Sequence, residues 1–273
     1  IRISSSGHGM LSRVLALLIR ALRVDSRRLP SHVLRLGLLG IVVVVLLYSQ
    51  AIFAATGGMF GAPGLWFFSG LIWIDFILAS LAGSLFFATS ITEEKEQQTL
   101  GLLRMADVGP LSLLLGKSVP RLLALLLILS VQFPFTLLAI TLGVSWLQVQ
   151  AAFWTLLSHI ILVGMIGVLC SVVFRRSAVA VTVSVLLICG LIFSPIILIG
   201  IVNPGPQSSG WIADVTIQLY ESSGATRLVE VLSSTFQGPV IGKQVLTNLV
   251  AGLLLFALAW LLFDPCNRTL DAN

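Results

Sequence analysis

The chain has 273 residues, of which 57% are hydrophobic and 10% charged, with a formal net charge of +5 and a mean hydropathy of +1.05. Soluble domains carry charge at about a quarter of their positions, so an ordinary soluble domain is excluded. The apolar residues fall in runs of about 20, long enough for a hydrocarbon core of roughly 30 Å, and not in the short alternating segments of a membrane barrel. The expected fold class is an all-α integral membrane protein.

In chain order, residues 1–10 stand apart. The chain starts at Ile1 and meets an internal Met10, which reads as cloning-derived sequence or an over-extended reading frame. No cleavable signal peptide is evident, since the first long apolar run begins only near Val33 and exceeds the length of a signal core. Residues 11–32 place Leu11, Val14, Leu15, Leu18, Ala21 and Leu22 on one helical face, with Arg13, Arg20, Arg23 and Arg27 largely elsewhere. That pattern predicts a basic amphipathic helix lying in the inner interface of the bilayer.

Residues 33–263 hold six predicted spans, at about 33–55, 65–90, 118–143, 148–174, 177–202 and 244–263. A polar segment, 91–117, separates spans two and three. The loop 203–243 begins "NPGPQSSGW" and reads as helical around 211–221 and 225–236, with Trp211, Ile212, Val215, Ile217 and Leu219 at the outer interface. Residues 264–273 form a tail. Cations alternate between loops. The N-terminal segment carries Arg13, Arg20, Arg23, Arg27, Arg28 and Arg35, the segment after span two carries Lys95, Arg104, Lys117 and Arg121, and Arg175-Arg176 fill the turn between spans four and five. The stretches "TGGMFGAPG" and "GVSWLQ" carry none. The positive-inside rule then puts both termini, and segment 91–117, in the cytoplasm. Because the basic charge follows the membrane, it implies no nucleic-acid partner.

The stretch "SITEEKEQQTLGLLRM" at 90–105 concentrates Glu93, Glu94, Lys95 and Glu96 in a chain with few charges. An acid or Lys at the centre of a span costs about 2.5–3.5 kcal/mol, so the cluster is expected to face water or another protein. With no Pro and one Gly from Ile91 to Met105, the stretch predicts a helix capped by Ser90 or Thr92, its acids in the first turn. It would end near Asp107–Pro110, and "LSLLLGK" would form a second short amphipathic stretch before span three.

The segment "ITEEKEQQTLGLLRMADVGPLSLLLGK" resembles the cytoplasmic segment between spans two and three of ABC type-2 transporter permeases. Glu94, Glu96, Thr99, Leu100, Leu102, Leu103, Pro110, Leu115, Gly116 and Lys117 match that family's pattern as they stand. The chain departs from it at Gln98, where the family often has Gly, at Gly101, where an acid is common, and at "ADVG", where "ATP"-like residues are common. The resemblance implies the membrane subunit of an ATP-binding-cassette exporter, with 91–117 as a coupling segment seated on a separate ATPase subunit. Glu93, Glu94, Glu96, Gln97, Thr99, Leu100, Leu103 and Arg104 would form the docking surface. It also implies an elbow helix at 11–32, pairing with an identical or homologous permease subunit, a pathway lined by spans one, two and five, and a bacterial plasma membrane location. ATP and Mg would sit on the partner, leaving this chain a transport subunit without catalytic residues or cofactor.

"GKS" at 116–118 lacks the earlier glycine of a phosphate-binding loop, because that position is Leu111. Three polar residues inside spans stand out: Asp75, Gln132 and His159. Intramembrane ionisable groups are candidates for a pathway, while pairing of Asp75 with water or His159 near the outer interface, or interhelical hydrogen bonding of Gln132 and His159, are the alternatives. Pro134 and Pro195 are expected to kink their helices. The three cysteines, Cys170, Cys189 and Cys266, have no ligand-like spacing and imply neither metal nor disulfide. Readings from other classes are a six-span secondary transporter or channel working through Asp75 and His159, and a membrane scaffold of an assembly complex.

Overall fold

A computed structural model describes residues 29–56, 63–98, 110–202 and 211–268. The predicted elbow helix, apart from its last few residues, and Thr99, Leu100, Leu103 and Arg104 of the docking surface lie outside these. The described residues form helices α1 (Leu29–Thr56), α2 (Pro63–Ala88), α3 (Thr92–Glu96), α4 (Pro110–Leu129), α5 (Phe133–Thr141), α6 (Trp146–Val173), α7 (Ser177–Val202), α8 (Trp211–Ser222), α9 (Gly224–Val231) and α10 (Lys243–Arg268). Six stretches are long and apolar enough to cross a membrane, with α4 and α5 counted as one. Helices satisfy their backbone groups internally, which hydrocarbon demands of any spanning segment.

Span three departs most from expectation. Its helix starts at Pro110, eight residues early, so "LSLLLGK" is its own first two turns and not a separate stretch. Proline suits the first turn, where its missing N–H bonds nothing. Between α4 and α5 the chain tightens into a 3-10 turn at Ser130–Gln132. Pro134 explains it: the ring collides with the carbonyl four residues back, at Ser130, and supplies no donor to it. Pro195, by contrast, sits within an uninterrupted α7.

α2 and α6 are the inner pair. In their most apolar windows 56% and 72% of residues are buried, against 11–22% for the other four spans. Lipid tails are as apolar as leucine, so such pairing depends on close backbone approach and hydrogen bonds. Glycines permit the approach. A Cβ at Gly83 of α2 would lie 2.8 Å from Val163 Cγ1, and one at Gly167 of α6 would lie 2.7 Å from Phe87 Cβ and 3.1 Å from the Ala88 nitrogen. Phe67, Phe68 and Leu71 of α2 pack with Ala151 and Ala152 of α6 at one end of the pair. Phe87 and Ile91 pack with Val168, Val172 and Phe263 at the other.

The segment between α7 and α10 does not merely lie on the surface. α9 runs back along α6. Its last residue, Val231, accepts a hydrogen bond from Gln148 Nε2 (3.3 Å) near the start of α6, and Ser233 O accepts another (2.9 Å). Its first residue, Gly224, abuts His159, whose Nδ1 would be 3.4 Å from an added Cβ. His159 stands thirteen residues after Trp146, or roughly 20 Å along the helix. The α8–α9 hairpin therefore reaches about halfway along α6. Within it Arg227 is buried, paired with Glu230 at 2.7 Å and held over the Phe236 ring.

The close contact at Gly167 gives a testable consequence. Gly167→Ala forces the α2–α6 backbones apart and is expected to cost about 1–3 kcal/mol. Gly190→Ala, on α7 with nothing within 4 Å, is expected to be neutral or to stabilise by up to about 1 kcal/mol. Thermal unfolding of the two variants in detergent, followed by size-exclusion fluorescence, checks the contrast.

Candidate functional site: the charged end and the buried polar stripe

One end of the bundle gathers the charged segment. α2 ends at Ala88, the chain turns, and α3 follows for five residues. Neither expected cap is used. Thr92 Oγ1 donates back to Ala88 O (3.0 Å), Ser90 Oγ meets Ser171 Oγ (3.0 Å), and Ile91 occupies the cap position with no side-chain bond. α3 stops at Glu96, and Gln98 adopts a left-handed backbone with φ of 57°.

The reason is the neighbouring helix end. Lys95 is buried, and its Nζ donates to Ser171 O (3.0 Å), Val172 O (2.5 Å) and Phe174 O (3.2 Å). These carbonyls belong to the last turn of α6 and the residue just after it, the negative pole of the helix, where a cation is stabilised. Glu96 does the converse. Its Oε1 accepts from Ser177 N (2.6 Å), the first residue of α7, at a positive pole. Arg175 and Arg176 fill the exposed turn between the two helices.

Glu93 and Glu94 face the other way, onto α4. Glu94 pairs with Lys117 at 2.5 Å and Glu93 with Arg121 at 3.1 Å. Arg121 also donates to Thr89 Oγ1 (2.9 Å) and to Phe86 O. Lys117 and Arg121 are four residues apart, on one face of α4, so α2, α3 and α4 are cross-braced where segment 99–109 leaves and returns. The expectation that these charges serve water or a partner alone is thus corrected: all four make contacts within the chain. Glu93, Glu96 and Gln97 still expose much of their surface. Gly116 lies inside α4, with Lys117 turned to Glu94 and Ser118 donating to Leu114 O (2.7 Å). The "GKS" is two turns into a helix and has no loop around it.

The three intramembrane candidates are all buried. Asp75, twelve residues into α2, accepts from Gln132 Nε2 at 2.5 Å. It therefore pairs with Gln132 and lies mid-helix, against the alternative of His159 near an interface. His159 Nε2 lies 2.9 Å from Ser80 Oγ, and its ring stacks on Phe76 with centroids 4.2 Å apart. The Ser80 hydroxyl proton is engaged by Phe76 O (2.7 Å), so Nε2 is the donor and Nδ1 is left as the acceptor. Among the described residues that Nδ1 has no partner, nor do Gln132 Oε1, Gln244 Oε1 and Asn248 Nδ2. Gln244 Nε2 donates to Ser158 Oγ (3.1 Å), tying the start of α10 to the middle of α6. Asp75, Gln132 and His159 thus share a polar stripe across α2, the α4–α5 junction and α6, each held by hydrogen bonds inside the chain. Among the described residues no group of three His, Cys, Asp or Glu side chains is placed to hold a metal ion.

Sequence reasoning missed Lys95, Ser80, Ser158 and Gln244. A lysine within an acidic run reads as a solvated charge, and the serines carry no signal until their partners are known.

The Asp75–Gln132 bond predicts non-additive stability. Gln132→Leu strands Asp75 without its donor and is expected to destabilise the chain by about 1–3 kcal/mol. Asp75→Leu with Gln132→Leu removes both groups and is expected to be more stable than the single Gln132→Leu variant. A double-mutant cycle on thermal or denaturant unfolding in micelles measures the coupling.

Neither a protein-family model nor a curated protein sequence matches the chain. What its six apolar helices establish is a multi-span membrane protein.

Proposed function

We propose that the chain is the permease subunit of an ATP-binding-cassette exporter. It would form half of a translocation pathway, pair with a second permease subunit, identical or homologous, and receive a separate ATPase subunit on segment 91–117. The observation that carries this reading is the backbone at residue 98. The resembled family often has glycine there, and Gln98 takes φ of 57°, a conformation that glycine adopts without strain and other residues adopt at a cost of about 1–2 kcal/mol. The motif position where the family often has glycine thus falls where this backbone is left-handed.

Further support comes from the layout. Six apolar helices suit the resembled architecture. Glu93–Glu94 and Lys117–Arg121, on either side of segment 99–109, are tied together at one end of the bundle. That end holds Lys95, Lys117, Arg121, Arg175 and Arg176, and the positive-inside rule assigns such an end to the cytoplasm. α1 and α7 leave most of their surface outside the chain, free for lipid and for a second subunit. ATP-driven closure of two ATPase subunits would rock the two permease halves and alternate access between them. ATP and Mg belong to the partner. The membrane would be a bacterial plasma membrane with both termini inside.

A secondary transporter or channel is the second reading, and the unpartnered atoms of His159, Gln244 and Gln132 favour it. Against it, Asp75 is the one acid in the described middle of any span and is bonded to Gln132.

The test uses residues within segment 99–109, because Glu94 and Glu96 also brace the chain itself. Leu100→Ala with Leu103→Ala removes two apolar anchors, each worth about 2 kcal/mol if buried at an interface centre, so ATPase-subunit affinity is expected to fall more than tenfold. Permease abundance in the membrane is expected to stay near wild type. Co-purification and coupled ATP turnover measure the loss, and unchanged values for both would refute the docking role. Orientation is checked by single-Cys labelling with an impermeant reagent, expected at position 145 from outside and not at position 98.

A further inference from the structure

Lys95 and Glu96 are adjacent, oppositely charged, and grip the two sides of one break, the turn from α6 to α7. Segment 99–109 is joined covalently only to α2–α3 and to α4. At this end of the bundle α2 and α4 reach α6 through apolar packing, with Phe87, Ile91 and Leu114 in one cluster with Val168 and Val172, and α3 adds the polar link, Lys95 on the last α6 carbonyls and Glu96 on the first α7 amide. The adjoining Ser90–Ser171 contact strengthens the α6 side. The charges match the helix poles they touch. An ammonium bonded to carbonyls of residues 171, 172 and 174 at once must sit at the end of the last turn, and its burial keeps water from replacing those bonds. Glu93 and Glu94, by contrast, brace α3 to α4.

We propose that Lys95 and Glu96 are positioning residues that carry displacement of the docking segment into the fourth and fifth spans. α3 is the rigid link. When a bound ATPase subunit moves segment 99–109, the last turn of α6 and the first turn of α7 follow it. This rests on the docking reading above. The division of labour is then between neighbours: Glu93 and Glu94 fix the roots of the segment, while Lys95 and Glu96 transmit.

Amide deuterium exchange on the full chain in lipid nanodiscs tests the link, alone and bound to its co-purified ATPase subunit, with and without a non-hydrolysable ATP analogue. In the chain alone, Glu96→Ala is expected to speed exchange of the residue 177 amide several-fold, since it loses a charge-assisted bond. In the wild-type complex, the analogue is expected to change exchange across 171–182. Lys95→Met and Glu96→Ala are expected to reduce that response at least threefold, while the ATPase subunit still protects 99–109. Lys95→Arg keeps a cation on the same carbonyls and is expected to retain the response, which loss of simple side-chain bulk or general stability would not explain. If Lys95→Met fails to accumulate, Glu96→Ala alone decides, because its side chain lies at the surface. A full nucleotide response at 177–182 in Glu96→Ala, with 99–109 protected, overturns the inference and leaves docking standing. No protection of 99–109 by any co-purifying ATPase overturns the docking reading, and the inference falls with it.

Discussion

The ammonium of Lys95 cannot stay buried without partners. Removing such a charge from water costs several kcal/mol even after relaxation, and the carbonyls left open at the end of α6 offset that cost. Much of the charged end follows from this one requirement. α3 must lie across the α6–α7 turn for the lysine to reach. The helix then stops at Glu96 and the backbone reverses at Gln98. With α3 so placed, Glu93 and Glu94 fall against Arg121 and Lys117 of α4. These partly exposed ion pairs contribute little individually. Their geometry is nonetheless fixed by the buried cation beside them.

The rest of the bundle hangs on a pair of helices that are not neighbours in sequence. α2 and α6 meet through glycine faces and through serine and histidine hydrogen bonds, while the other spans lie around them. At the far end, the α8–α9 hairpin wedges against α6 and brings the first residues of α10 to its middle. α6 is thus held by Lys95 at one end, by Gln148 near the other and by Gln244 on Ser158 at its middle. The polar groups between them are bonded across helices, which suits a frame more than an open conduit.

The spans were legible because hydrocarbon thickness imposes a minimum apolar length, and no soluble context competes with that signal. The break before Pro134 was legible too, because a missing donor and a ring clash act locally. The helical reading of the segment before span six placed two helices close to where α8 and α9 run, but not the depth to which α9 inserts, since its contact with His159 is a matter of packing. The end of α3 at Glu96 was hidden for a related reason. No breaker residue marks Glu96 as a helix end, and the stop is imposed by carbonyls some 76 residues away in sequence. Asp75 announced itself as an intramembrane acid, yet its partner Gln132, 57 residues on, could be named only from the fold. Thr99, Leu100, Leu103 and Arg104 fall outside the described residues, so their part in the docking surface still stands on sequence pattern.

That the central pair is made of the second and fourth spans bears on biosynthesis. The ribosome delivers α2 long before α6. Once the third span has emerged, the growing chain already contains the partners for Asp75, Glu93 and Glu94, on the α4–α5 helix, and a two-span hairpin braced at the charged end and mid-membrane becomes available. Ser80, Gly83 and Lys95 are still waiting at that stage, because His159, Val163 and the end of α6 have yet to be made. Synthesis halted between the third and fourth spans would leave a half-assembled hairpin with its glycine face uncovered and Lys95 still in water.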